Sequence, residues 1–186
     1  MTVYLESGRA LPEALRGAEL VVHLAGAVKA STPQEFMKAN AASTYGLVRA
    51  ISAQDRPARL VVCSSLAAAG PAPQGQLARS EEDTPQPVSW YGHSKLAAER
   101  HVRRYADRVP VVIVRPPIVY GPGDPAFVPM LAAMARSQVA VKPRFGPRTH
   151  SLLHVEDLCT GLIGAALRGC RVVPVYYLSD GIERMW

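Results

Sequence analysis

Several features that mark particular classes of protein are scarce or absent in this sequence. Its cysteines, Cys63, Cys159 and Cys170, are odd in number and lack C-x-x-C spacing, which argues against a disulfide framework and against a zinc site. No apolar run reaches the roughly 20 residues that a membrane-spanning helix needs. The N-terminus also lacks the basic-then-apolar order of a signal peptide. We therefore expect a globular protein of the cytoplasm, with no metal site and no membrane partner.

Aromatic residues are also scarce, at 6% of the chain, and the arginines are mostly spread singly although the formal net charge is +6. Surfaces that bind nucleic acids usually combine a basic patch with aromatic side chains on which bases stack. We therefore expect no nucleic-acid partner. The same positive charge suits an anionic small ligand such as a dinucleotide.

The pattern of apolar runs predicts an α/β fold. Short β-branched runs alternate with helical windows, which is typical of a mostly parallel sheet with helices on both faces. The run Glu19–Leu24 is so apolar that it predicts a strand buried on both faces. The other predicted strands are Thr2–Leu5, Arg59–Ser64, Val111–Arg115, a weak one at Val139–Val141, and Val172–Leu178.

Helix signals separate these strands. Thr32 precedes Pro33, and Glu35 follows three residues after Thr32, a capping pattern that predicts a helix running towards Ala53. Pro, Gly, Ser and acidic residues from Ala69 to Pro87 predict a surface loop. Pro116–Gly123 is predicted to be an extended, turn-rich segment. The remaining predicted helices are Leu11–Arg16, a helix from Ser89 that ends before Pro110, Ala126–Ala135, and His154 to about Leu167.

Tyr91 and Lys95 lie four residues apart at the start of one predicted helix, so both side chains project from the same face. An ammonium near a phenol stabilises the phenolate and lowers the tyrosine pKa from its usual value of about 10. Such a tyrosine can exchange a proton with a substrate oxygen. By itself the pair is a weak signal, because any helix can carry such a pair on a solvated face. Its context strengthens the catalytic interpretation, because Ala25-Gly26, Ser64-Ser65 and Pro116–Ile118 follow predicted parallel strands, where ligands bind.

These motifs occur in an order that resembles one known family, the extended short-chain dehydrogenase/reductases, or NAD-dependent epimerase/dehydratase group. The resemblance extends from about Leu11 to Gly181. It implies a Rossmann-like fold, an NAD or NADP cofactor, and oxidoreductase, epimerase or dehydratase activity on a small-molecule carbonyl or hydroxyl substrate. The motifs are His23-Leu24-Ala25-Gly26, Asn40, Ser64-Ser65, Tyr91-Gly92-His93-Ser94-Lys95, Arg115-Pro116-Pro117 with Tyr120-Gly121-Pro122-Gly123-Asp124, and His154-Val155-Glu156-Asp157.

The resemblance also implies catalytic roles for particular residues. Tyr91 matches the family's general acid/base, and Lys95 matches the lysine that tunes it and contacts the nicotinamide ribose. Ser65 matches the hydroxyl that orients the substrate oxygen, with Ser64 as the neighbouring alternative. Asn40 matches an interior asparagine that supports the site. Without the resemblance, Asn40 is equally an ordinary helix polar group, and the serines equally end a strand.

Cofactor contacts are implied in the same way. Leu24, Ala25 and Gly26 match the turn that passes the phosphate–ribose region, and Lys29 is a further contact or a solvated lysine. Pro116 and Ile118 match positions that flank the nicotinamide, although Pro116-Pro117 is also explained as a rigid turn. The sequence does not distinguish NAD from NADP.

The sequence departs from the family pattern in one respect: it contains no G-x-x-G-x-x-G turn, the motif that binds the pyrophosphate at a helix N-terminus. We therefore expect residues 1–186 to form a single incomplete NAD(P)-binding Rossmann-like domain, truncated at the N-terminus, with weak dinucleotide affinity. A sheet without its first strands exposes an apolar edge and face, so we expect the isolated chain to be marginally stable, to self-associate as a homo-oligomer, or to be completed by another polypeptide. A non-catalytic Rossmann-like binding or interaction module is the alternative.

Overall fold

The structure is a computed structural model that describes residues 11–73, 75–76, 78–124, 127–137, 149–168, 173–182 and 184–185. The predicted strands Thr2–Leu5 and Val139–Val141 lie outside these residues. The strands are β1 (Leu20–His23), β2 (Arg59–Cys63), β3 (Val111–Arg115), β4 (Ile118–Tyr120), β5 (Thr149–His150), β6 (Leu152–His154), β7 (Val175–Tyr177) and β8 (Arg184–Met185). The α-helices are α1 (Leu11–Ala14), α2 (Pro33–Phe36), α3 (Ser43–Ser52), α4 (Leu66–Ala69), α5 (Trp90–Arg103), α6 (Phe127–Ser137) and α7 (Val155–Leu167).

Four parallel strands form the central sheet in the order β1-β2-β3-β7. On one face, side chains from α1, α3 and α5 pack against Leu60, Val62 and Ile113. On the other face, Leu162, Ala165 and Ala166 of α7 pack against the alternate strand positions. The predicted α/β class, with a parallel sheet and helices on both faces, is confirmed. Because β2 and β3 have neighbours on both sides, their apolar runs are almost entirely buried.

Strand β1 differs from its prediction. On one face His23 is buried, but on the other Leu20, Val22 and Leu24 are 45%, 42% and 60% exposed. The prediction of a strand buried on both faces is therefore wrong. Two features of the described residues explain this: β1 pairs only with β2, and α7 packs on β2 and β3 but leaves the same face of β1 uncovered.

The predicted helix from Pro33 towards Ala53 is present but changes its winding. The Thr32 hydroxyl accepts a hydrogen bond from the Glu35 amide at 3.2 Å, so the predicted N-cap is confirmed. After α2, residues Met37–Ala42 form a π-helix before α3 continues. The wider turn inserts an extra residue and thereby changes which side chains point inwards; such turns are frequent at functional sites. The capping and apolar patterns do not encode it.

The described residues also form two separate two-stranded sheets. The Pro116–Gly123 segment, predicted as extended and turn-rich, contains β4, which pairs in parallel with β6. The other small sheet pairs β5 with β8 in antiparallel fashion. The predicted helices over Ala126–Ala135 and up to Leu167 correspond to α6 and α7.

None of the described helices combines the length and the apolar character needed to cross a membrane.

Candidate active site

The first turn of α5 lies against α4, which follows the carboxyl end of β2. The Ser89 hydroxyl caps α5 by accepting a hydrogen bond from the Gly92 amide at 3.0 Å. Gly92 has no side chain, and a Cβ there would lie only 2.2 Å from the Ala67 carbonyl oxygen of α4. This close approach of two backbones is possible only at glycine. It brings Tyr91 beside the segment that contains Ser65.

Tyr91 is half-buried, and its ring centroid lies 6.0 Å from that of Phe36. Burial raises the pKa of the Tyr91 phenol above its ordinary value, hydrogen bonding with the Ser65 side chain lowers it, and the negative charge that Cys63 can develop raises it. The predicted lowering of the Tyr91 pKa by Lys95 is therefore wrong. The physical reason is that desolvation of the phenol outweighs its favourable contacts, while the Lys95 ammonium is directed to another acceptor.

That acceptor is the Cys63 carbonyl oxygen at the end of β2, which lies 2.9 Å from Lys95 Nζ. Lys95 is buried and its Nζ lies 6.0 Å from the centroid of the Tyr91 ring. Burial lowers the pKa of Lys95, whereas Cys63 and Glu99 raise it. Lys95 thus stands close to Tyr91, as the helical spacing predicts, and also holds the end of β2.

The two serines after β2 point to different partners. Ser65 begins α4, where its hydroxyl accepts a hydrogen bond from the Ala67 amide at 3.2 Å, and its side chain also hydrogen-bonds Tyr91. Ser64 is buried and donates to Glu99 Oε1 at 2.5 Å. The structure therefore brings Ser65, rather than the alternative Ser64, to the phenol of Tyr91.

Asn40 lies in the π-helix and is 1% exposed. Its Oδ1 accepts from the Ala27 amide at 2.8 Å, and its Nδ2 donates to the Ala27 carbonyl at 3.0 Å and to Ser94 Oγ at 2.9 Å. Ser94 Oγ in turn donates to the Tyr91 carbonyl at 2.7 Å. Asn40 therefore joins the turn after β1 to the first turn of α5, and its side-chain contacts are structural.

The turn of Leu24, Ala25 and Gly26 is exposed and runs over these groups. Gly26 has φ +157°, and a Cβ there would lie 2.6 Å from Asn40 Oδ1 and 3.5 Å from Lys95 Nζ. The lack of a side chain therefore leaves an open backbone surface above Lys95. Lys29, three residues further on, is exposed.

Pro116 and Ile118 follow β3 at the same edge of the sheet. Pro116 is buried, and its carbonyl oxygen accepts a hydrogen bond from the Leu66 amide at 2.9 Å, next to Ser65. Ile118 is half-buried at the start of β4, where its described pairing is with Leu152. Pro116 thus lies beside the serine segment, whereas Ile118 belongs to the neighbouring small sheet.

Comparison of the sequence with known proteins assigns the chain to a family. The model of the NAD dependent epimerase/dehydratase family matches residues 3–173. The chain belongs to this family. The resemblance deduced from the motifs is therefore confirmed.

Individual members of the family agree with this assignment. A ceramide reductase of Caulobacter vibrioides is 34% identical over 178 residues, which cover 95% of this chain and 49% of the relative. A 4-hydroxy-2-methyl-3-oxo-4-farnesyl-3,4-dihydroquinoline-1-oxide ketoreductase of Stigmatella aurantiaca is 32% identical and is matched over 53% of its length. MoeE5 in complex with UDP-glucuronic acid and NAD superposes with a TM-score of 0.85 at 28% identity, over 100% of this chain and 64% of that chain. The chain thus spans about half the length of these two relatives.

His23 and Arg115 occur within the sequence motifs, but no motif indicated the role of Glu99. His23 Nε2 lies 2.8 Å from Thr44 Oγ1, and Thr44 donates its own proton to the Asn40 carbonyl at 2.6 Å. The Glu99 carboxylate accepts two hydrogen bonds from the Arg115 guanidinium, at 2.8 and 2.5 Å. One signal for Glu99 was present: it follows Lys95 by four residues, so it repeats the spacing of Tyr91 and Lys95 on the same helix face.

Proposed function

We propose that this chain carries the proton-transfer site of an NAD(P)-dependent oxidoreductase, epimerase or dehydratase that acts on a carbonyl or hydroxyl group. One observation supports it above the others: Ser65, Tyr91 and Lys95 converge at the end of β2. Ser65 hydrogen-bonds Tyr91, and Lys95 Nζ lies 6.0 Å from the centroid of the Tyr91 ring. A phenol flanked by a hydroxyl donor and a buried ammonium is equipped to exchange a proton with a substrate oxygen.

The raised pKa of Tyr91 keeps the phenol protonated at neutral pH. In carbonyl reduction Tyr91 then donates its proton to the substrate oxygen, and the Ser65 hydroxyl orients that oxygen by hydrogen bonding. The phenolate left on Tyr91 is stabilised by the Lys95 ammonium. In the reverse direction the same phenolate accepts the proton of a substrate hydroxyl.

The residues present fit one end of a dinucleotide, NAD or NADP. The turn of Leu24, Ala25 and Gly26 is exposed. Because Gly26 has no side chain, the space next to Asn40 and Lys95 stays open; a Cβ at this position would fill it. We assign this surface and Lys95 to the ribose–nicotinamide region, with Lys29, Pro116 and Ile118 as flanking positions. The bound dinucleotide supplies or accepts the hydride. Because the sequence contains no G-x-x-G-x-x-G turn, we expect weak binding.

We propose an apolar carbonyl compound as the substrate. The Leu66–Ala69 helix beside Ser65 offers small apolar side chains, and Trp90, next to Tyr91, is 56% exposed. Ceramide and a farnesylated quinoline, named for the two relatives, are largely apolar molecules. An exposed tryptophan beside the phenol provides a surface for such a molecule.

Titration of tryptophan fluorescence with NADH and NADPH tests the proposal. In a Trp186→Phe background Trp90 is the remaining tryptophan, and it adjoins Tyr91. We expect saturable quenching at sub-millimolar cofactor, which Lys95→Met should weaken at least tenfold. Arg100→Met is the matched control, because Arg100 is exposed on the same helix and its loss should leave the titration unchanged.

The same protein should oxidise the reduced cofactor in the presence of a long-chain aliphatic ketone. Tyr91→Phe should bind cofactor normally and lose turnover by more than a hundredfold, because the proton donor is removed. No quenching up to millimolar cofactor would contradict the proposal and favour a non-catalytic binding or interaction module.

A further inference from the structure

A buried ion pair behind Tyr91 and Lys95 is left unused by the proposed mechanism. Glu99 and Arg115 are 1% and 2% exposed. The guanidinium donates to both carboxylate oxygens, with Arg115 Nε 2.8 Å from Oε1 and Nη2 2.5 Å from Oε2 of Glu99. Removing two charges from water is costly, and a buried pair often stabilises a fold no more than apolar side chains would. Its position suggests another role.

Helix α5 holds the end of β2 at two successive residues. Lys95 Nζ donates to the carbonyl oxygen of Cys63, and one helical turn later Glu99 accepts from the hydroxyl of Ser64. Ser65 follows immediately and hydrogen-bonds Tyr91. The Glu99 carboxylate therefore helps to hold the segment that carries both Ser65 and the backbone acceptor of Lys95.

Arg115 extends the same connection to the neighbouring strands. It ends β3, directly before Pro116, and its Nη1 donates to the Tyr177 hydroxyl of β7 at 3.1 Å. The Tyr177 amide donates to Glu81 Oε1 of the long loop at 2.9 Å. The ion pair thus ties α5 to the carboxyl ends of three parallel strands, which is where this fold places its ligand.

Glu99 is also an electrostatic partner of Lys95. The groups that face the Lys95 ammonium are His23 of β1, Cys63 of β2, and Tyr91 and Glu99 of α5. Burial favours the neutral amine, and Glu99 opposes this by raising the pKa of Lys95. Of these four groups, Glu99 is the one whose carboxylate is held in an ion pair, with Arg115.

We propose that Glu99, paired with Arg115, is a positioning residue that fixes the end of β2 against α5 and places a negative charge on the helix face of Lys95. Its role in a reaction rests on the proposed function, but its effect on Lys95 does not. A purely structural ion pair would change the stability of the fold and leave the protonation of Lys95 as it is.

The test is an NMR titration of the protein labelled with ¹³C at lysine Cε, which needs neither cofactor nor substrate. The Lys95 signal is assigned by its loss in Lys95→Met. In Glu99→Gln the Lys95 titration should move to lower pH than in the wild type. Glu99→Asp keeps the negative charge, so its Lys95 titration should lie close to that of the wild type. Arg100→Gln should leave the Lys95 titration unchanged.

Glu99→Gln leaves Arg115 buried without its charged partner and can fail to fold. The double variant Glu99→Leu/Arg115→Met removes both charges and fills the space with apolar groups, and it should show the same movement of the Lys95 titration. An unchanged titration in either folded variant would overturn the proposal. If both variants fail to fold, the ion pair serves only to stabilise the sheet, and the proposal is likewise overturned. A wild-type protein that binds no NADH would instead contradict the proposed function, and the Lys95 titrations would still decide the role of Glu99.

Discussion

At the scale of single residues, His23 makes the stability of the protein depend on pH. It is buried, it lies 2.8 Å from Thr44 Oγ1, and its pKa is lowered from 6.5 to about 4 by burial and by the nearby Lys95 charge. The unfolded chain therefore binds a proton at a pH where the folded protein does not. Stability from the neutral imidazole is present above pH 6.5 and is lost as the pH falls towards 4.

We expect the free energy of unfolding to fall by about 2 kcal/mol between neutral pH and about pH 5 through His23 alone. Urea unfolding followed by circular dichroism measures this difference. His23→Gln removes the titration while keeping an amide donor for Thr44, so its stability should change less over the same interval. His93→Gln, at an exposed position of α5, is the control and should keep the wild-type slope. An equal slope in His23→Gln and the wild type would contradict the prediction.

The individual site residues could be predicted to different degrees. Tyr91, Lys95 and Ser65 stand in short local motifs, so their placement together follows from a helix spacing and a strand end. Glu99 repeats the four-residue spacing of Tyr91 and Lys95, but Arg115 is sixteen residues away on another element, so nothing local indicates that these two residues form a pair. The direction of the Tyr91 pKa shift was also beyond the sequence, because it depends on how deeply the phenol is buried and on where Lys95 Nζ points.

At the scale of elements, the position of α5 against α4 depends on one glycine. In Gly92→Ala the new Cβ would meet the Ala67 carbonyl oxygen at 2.2 Å and Pro87 Cβ at 3.0 Å. The first turn of α5 must then move away from α4, which separates Tyr91 from Ser65. We expect the free energy of unfolding to fall by roughly 1–3 kcal/mol, the range for overpacked sites.

Gly46→Ala is the matched control for Gly92→Ala. Gly46 is also helical, in α3, and nothing lies within 4 Å of a Cβ placed there. Alanine favours the helix over glycine, so this variant should be more stable by about 1 kcal/mol. Urea unfolding compares the two variants. A Gly92→Ala protein as stable as Gly46→Ala would show that α5 does not require the close approach.

The elements themselves were predicted where the signal is local. The Thr32 cap, the β2 and β3 runs and the start of α7 all follow from neighbouring residues. The π-helix at Met37–Ala42 was not predicted, because its winding is stabilised by tertiary contacts such as those of Asn40 with Ala27. Strand β4 was missed because its pairing with β6 joins segments more than thirty residues apart in the sequence. An apolar run predicts a strand but does not show whether that strand has a neighbour on each side. For this reason the prediction that β1 is buried on both faces was wrong.

At the scale of the whole molecule, the family and the fold follow from the order of the motifs. The single domain over residues 1–186 and the cytoplasmic location stay predictions. The central sheet ends at β1 within the described residues, and the face that carries Leu20, Val22 and Leu24 is open. An uncovered apolar strand edge offers unpaired amides and carbonyls to another strand.

We therefore expect this chain, expressed alone, to self-associate at micromolar concentration through β1. Sedimentation velocity should show species larger than a monomer whose fraction rises with concentration. Val22→Lys places a charge on the exposed face of the edge strand, which opposes pairing with a second copy, and it should shift the distribution towards monomer. Val128→Lys is the matched control, because Val128 is similarly exposed but lies on α6, and it should sediment like the wild type. A wild-type chain that is monomeric and unfolds cooperatively at these concentrations would contradict the prediction and would mean that the open face of β1 is tolerated in water.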